Sequence, residues 1–122
     1  MTKTILAHIK QKLKSAGVNY AFGEWKKAGV YPYFVGEYTE SPPMTEDGKH
    51  TATFILNGFH RGNWVELETE KEKIENEFSN DTTILSDGAG VDISYSGSMV
   101  IPTGDAELKR IEINLTITEW RT

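Results

Sequence analysis

The stretch Leu108-Lys109-Arg110-Ile111-Glu112-Ile113-Asn114-Leu115-Thr116-Ile117-Thr118-Glu119-Trp120 carries the clearest structural signal in the chain. Ile111, Ile113, Leu115 and Ile117 alternate with Glu112, Asn114, Thr116 and Thr118. In an extended chain successive side chains point to opposite faces, so this alternation makes one apolar and one polar face. It reads as a strand of a sheet that covers a core.

Working back from that strand, Val91 to Val100 reads as a companion. The glycine- and proline-bearing stretches Asp87-Gly88-Ala89-Gly90 and Pro102-Thr103-Gly104-Asp105 mark turns on either side of it. Before them Asn63 is placed to cap a helix whose apolar stripe is Trp64, Leu67, Ile74 and Phe78, with Lys71 as its polar exception. A strand from His50 to about Phe59 alternates Ala52, Phe54 and Leu56 against Thr53, Ile55 and Asn57, as a central strand would. Residues 39–49 are polar and rich in turn formers, and read as an exposed loop.

Val30 to Tyr38 reads as a strand with Pro32 at its beginning or edge, because proline cannot donate a ladder hydrogen bond. Val18, Tyr20 and Phe22 share one face of a shorter strand before it, with Lys26 to Gly29 as the turn between. The chain opens with a helix capped by Thr2 or Thr4, striped by Ile5, Leu6, Ile9, Leu13 and Ala16 and stopped at Gly17. The order α-β-β-β-α-β-β, with strands grouped rather than alternating with helices, predicts an α+β fold. Two helices should pack on a mainly antiparallel sheet of about five to six strands, in a single domain spanning 1–122.

Composition narrows the function. The 122 residues include 38% hydrophobic and 25% charged side chains, the balance of an ordinary globular domain rather than a disordered one. There is no cysteine, which removes disulfides, thiolate metal sites and cysteine nucleophiles. The N-terminal residues lack the apolar core of a signal peptide, and no apolar run approaches the ~18 residues needed to span a bilayer. Net charge is −5, which disfavours general attraction to nucleic acid or anionic membranes. That charge is uneven: Lys3, Lys10, Lys12 and Lys14 occupy the first helix, while Glu66, Glu68, Glu70, Glu72, Glu75 and Glu77 occupy the second. The two helices could pair with each other, with neighbouring copies, or simply with solvent.

A search for chemistry finds no catalytic, metal or cofactor centre. His8, His50 and His60 have no metal-ligand spacing and read as surface residues. Asp87 and Asp92 flank a turn that lacks both the helix of a dinucleotide fingerprint and the ligand pattern of a calcium loop. The glutamate pairs of the second helix lack an apolar pocket that would tune a pKa. An enzyme would need a cleft that brings His50 or His60 beside a carboxylate. Trp25, Tyr31, Tyr33, Phe34 and Tyr38 are expected to cluster in the first hairpin. With Lys26 and Lys27 interleaved they could stack single-stranded nucleic acid, but the overall acidity favours core packing and subunit contact. The candidate contact residues are therefore Lys10, Lys14, Trp25, Tyr31, Tyr33, Met44, Glu68 and Glu72.

This layout resembles the tail terminator and tail-completion proteins of long-tailed phages and prophages. The resemblance is carried by the starting helix ending at Gly17, the segment Tyr31-Pro32-Tyr33-Phe34-Val35-Gly36-Glu37, the long loop, the alternating strand Thr51–Phe59, the helix Trp64–Phe78 and the closing strands to Trp120. It implies a non-enzymatic virion subunit that forms a homo-oligomeric ring, with six copies expected, capping the tail tube at the head–tail joint. The implied partners are other copies, the tail-tube protein and the head–tail connector, with no membrane, cofactor or specific nucleic acid. The implied location is the bacterial cytoplasm during assembly and then the virion tail. A small non-enzymatic ligand- or protein-binding module is the alternative.

Overall fold

The computed structural model describes residues 1–40, 49–79 and 81–120. In chain order the elements are α1 (Lys3–Ser15), β1 (Tyr20–Phe22), β2 (Tyr33–Glu40), β3 (Lys49–Arg61), α2 (Trp64–Glu77), β4 (Asp81–Ile84), β5 (Gly90–Val100) and β6 (Leu108–Trp120). The six strands form one sheet in the order β1-β2-β3-β6-β5-β4, so the fold is α+β as the sequence implies. Every neighbouring pair is antiparallel except β1 with β2.

Local chemistry sets the helix ends. The Thr2 hydroxyl accepts from the Ile5 amide at the start of α1. At its end Gly17 takes φ +79, letting the Val18 amide reach the Leu13 carbonyl and the Gly17 amide reach the Lys14 carbonyl. That is the double-bonded left-handed stop that favours glycine. The Asn63 side chain accepts from the Glu66 amide at 2.9 Å and opens α2.

The sheet is covered on one side. Ile5, Ile9 and Leu13 of α1 and Leu67 and Ile74 of α2 join Phe34, Phe54, Leu56, Ile93, Ile111, Ile113, Leu115 and Ile117 in one buried cluster. Those strand residues all lie on the same face by the two-residue alternation. Thr53, Ile55 and Asn57 of β3, and Arg110, Glu112 and Asn114 of β6, lie on the opposite face, over which no described helix packs. Neither described helix is long and apolar enough to cross a membrane.

Several expectations need correction. The aromatic pair of strands is not a hairpin: β1 runs parallel to β2, Tyr20 opposite Phe34. Residues between them travel out and back, with Gly23 at φ +85 and Gly29 at φ +77. A strand missing from the order, β4, follows α2; its Asp81-Thr82-Thr83-Ile84 has too little apolar alternation to announce itself. Trp64 is not part of the buried helical stripe but is 38% exposed, because it sits at the first turn of α2 beside the 101–108 segment. His60 is not a surface residue; it is 4% exposed.

Candidate functional site

Tyr33, Phe59 and Arg110 occupy one row across β2, β3 and β6, since Tyr33 is registered with Phe59 and Phe59 with Arg110. On the uncovered face they stack in sequence. The Phe59 ring lies 5.3 Å from that of Tyr33, and the Arg110 guanidinium lies 5.5 Å over Phe59. Trp25, arriving from the segment after β1, extends the row with a nearly parallel stack on Tyr33 at 5.0 Å and 4°. Its indole N–H donates to the Lys27 carbonyl at 2.7 Å, and the Lys27 ammonium lies 5.9 Å from its ring centroid. The result is a ladder of three aromatic rings with a cation at each end, an arrangement stabilised by ring quadrupoles as well as by buried area.

Polar side chains fix one end of the ladder. Arg110 Nη2 donates to Asn57 Oδ1 at 2.9 Å, and Asn57 Nδ2 donates to Glu37 Oε1 at 3.3 Å. Arg110 Nε is buried with no hydrogen-bond partner among the described residues. Tyr31 flanks the middle ring, 5.5 Å from Tyr33, and its ring also faces His60 at 6.5 Å. Burial, with the neighbouring Tyr31 adding to it and Arg61 opposing it, holds the Tyr33 phenol above its ordinary pKa. The hydrogen bond to Tyr31 and the charge of Asp105 raise Arg61 despite some desolvation.

The aromatic cluster expected from the sequence is thus divided by the sheet. Trp25, Tyr31 and Tyr33 belong to the uncovered side, whereas Phe34 is fully buried under the helices and Tyr38 packs against the same core. Tyr20 and Phe22 join that inner group through Phe54, at 6.4 and 6.2 Å. Burial pushes the Tyr20 phenol up to about 12.

Of the remaining candidate contacts, Lys10 and Lys14 line a groove of about 600 Å³ together with Trp25, Lys26 and Lys27. Glu68 and Glu72 are on α2; Glu68 keeps 43% side-chain exposure beside Lys71, and Glu72 is exposed. Met44 lies outside the described residues, as does most of the 39–49 loop. The structure therefore brings together Lys10, Lys14, Trp25, Tyr31 and Tyr33 along one end of the sheet, and leaves the two glutamates on another surface.

The helices do meet within the chain, through an ion pair. Lys12 approaches Glu77 at 3.5 Å and Asp81 at 3.7 Å, while His8 Nε2 lies 2.8 Å from Asp81. His60 Nε2 lies 2.7 Å from Glu66 Oε2, tying the end of β3 to the first turn of α2. A Cβ on Gly62 would come within 2.4 Å of that ring nitrogen, so the glycine makes room for the pair. Among the described residues no three histidine or carboxylate side chains are grouped to hold a metal ion.

Phe59, Asn57 and Arg110 escape reasoning from the sequence because their partnership is a matter of cross-strand register. The odd-numbered parity of Phe59 with Ile55 and Asn57 was the one available signal. No protein-family model matches the chain. Comparison with curated proteins finds no significant match either.

Proposed function

We propose that this chain is a structural subunit of a long-tailed phage or prophage particle, one that closes with its own copies into a ring at the head end of the tail tube. The observation that carries the proposal is the uncovered sheet face with its ladder of Trp25, Tyr33, Phe59 and Arg110. Aromatic and arginine side chains are the residues that contribute most at protein interfaces, and here they are already held in place by stacking. The sequence layout from the Gly17 helix stop to the Pro32 strand start supplies the particular kind of assembly.

A ring requires two unlike surfaces on each copy. The lysine-lined groove and the acidic outer face of α2 supply such a pair. The groove also supports a second reading, a monomeric ligand- or protein-binding module, since its 600 Å³ is the size of many small-molecule sites. Light scattering across protein concentration separates the two. The ring reading predicts a mass that reaches a multiple of the monomer and stays there. A mass that remains monomeric at high concentration, with and without tail-tube protein, counts against it and favours the binding module.

A further inference from the structure

α1 presents lysines on two flanks. Lys12 turns toward α2, where it meets Glu77 and Asp81. Lys10 and Lys14 turn the other way and line the groove along β1, which the segment after β1 completes with Glu24, Trp25, Lys26 and Lys27. Four lysines face one acid there, giving +3 in a chain whose net charge is −5. The acid, Glu24, is engaged by Lys26 at 3.4 Å. One wall is firm, because Trp25 is fixed both by its stack on Tyr33 and by its hydrogen bond to the Lys27 carbonyl.

The complementary surface is on the same molecule but cannot reach the groove within it, since α1 and its Lys12 contact with Glu77 stand between them. α2 carries six glutamates and two lysines, a balance of −4. Four of those glutamates have partners inside the chain besides Glu68: Glu70 meets Lys73, Glu75 meets Lys71, Glu66 meets His60 and Glu77 meets Lys12. Glu68 shares Lys71 and stays 43% exposed on its side chain, and no ion pair among the described residues involves the exposed Glu72.

We infer that the groove lined by Lys10, Lys14, Lys26 and Lys27 receives the outer face of α2, through Glu68 and Glu72, from a second copy of this chain. The inference rests on the self-assembly reading above and gives it a specific contact. Because the two surfaces are unlike and lie on opposite flanks of α1, the contact is head-to-tail, the type that builds a ring when its rotation closes. Charge complementarity of this kind selects the partner and its orientation more than it adds affinity.

The test is a charge exchange followed by sedimentation velocity, with circular dichroism to check folding. One variant carries Lys10→Glu and Lys14→Glu, the other Glu68→Lys and Glu72→Lys. Each alone opposes like charges and should raise the dissociation constant on the order of tenfold or more. An equal mixture restores attraction at both kinds of contact, because the acidic groove meets the basic helix and the untouched groove meets the untouched helix. Reassembly on mixing is the expected result, and it also shows that both variants are folded. If wild type assembles and either variant alone assembles as tightly, the contact is refuted while self-assembly stands. The same holds if folded variants fail to reassemble when mixed. A wild type that is monomeric throughout overturns both.

Discussion

Gly58 offers a demanding test of the β2–β3 register on which the ladder depends. It sits opposite Phe34, and the Phe34 ring lies directly on its backbone. A Cβ added at Gly58 would stand 2.3 Å from Phe34 Cε1 and 2.8 Å from Cδ1 and Cζ. Phe34 is 0% exposed, so its ring has no free space into which to retreat. Overpacking a core in this way costs about 1–3 kcal/mol. The backbone at Gly58 is not left-handed, so alanine brings no conformational strain and recovers roughly 0.4–1 kcal/mol of unfolded-chain entropy.

Gly90 is the matched control. It lies in β5, its φ is also not left-handed, and the nearest atom to an added Cβ is Trp120 Cε3 at 3.9 Å. Gly90→Ala should therefore be neutral or slightly stabilising, while Gly58→Ala is destabilising, with a gap of about 2 kcal/mol between them. Urea unfolding followed by tryptophan fluorescence, at one fixed protein concentration, resolves that as a midpoint shift of about 1 M. Phe34→Leu should relieve part of the cost in the Gly58→Ala background, a coupling that a double-mutant cycle reads directly. Equal midpoints for the two alanine variants would refute the placement of Phe34 on Gly58 and with it the row of Tyr33, Phe59 and Arg110.

Three further outcomes are expected. Asn63→Ala removes the acceptor for the Glu66 amide and should cost about 1 kcal/mol in thermal or urea unfolding. Because Tyr20 is raised in the folded state to about 12 from 10.0, the fold holds its phenol proton where the unfolded chain has lost it. Its contribution is complete below pH 10 and lost as pH rises toward 12, on the order of 1 kcal/mol after allowance for partial exposure; Tyr20→Phe should flatten that part of the stability–pH curve. Phe59→Ala removes the ring that braces Tyr33 from the Arg110 side and should thereby loosen Trp25, seen as a fall in tryptophan fluorescence anisotropy at the position isolated by replacing Trp64 and Trp120 with phenylalanine, with a loss of about 1–3 kcal/mol in stability. Unchanged anisotropy would mean that Tyr33 alone holds the indole.

The parts of the fold that sequence disclosed are those written in local periodicity. Ile111, Ile113, Leu115 and Ile117 are all buried on the helix-covered face, as their alternation with polar residues requires. Thr2, Gly17 and Asn63 mark helix ends because capping depends on a residue's own side chain or φ. What escaped was set by distant pairing. Nothing local tells Tyr20 to lie parallel beside Phe34 rather than antiparallel, and the difference sends Trp25 to the open side of the sheet. Likewise His60 looks polar and exposed in sequence, yet Glu66 and the space left by Gly62 allow it to be buried. The candidate contacts were legible as residue types, lysines, aromatics and glutamates, but their sorting into a ladder, a groove and an opposing helix face is a product of the sheet.

Native mass spectrometry of the unmodified chain over a range of concentrations bears most directly on the claim that these surfaces join copies of the protein. Two unlike surfaces that close on themselves predict one dominant oligomer of fixed copy number in exchange with monomer. A spectrum of monomer alone, or an open series of masses with no preferred number, would contradict it.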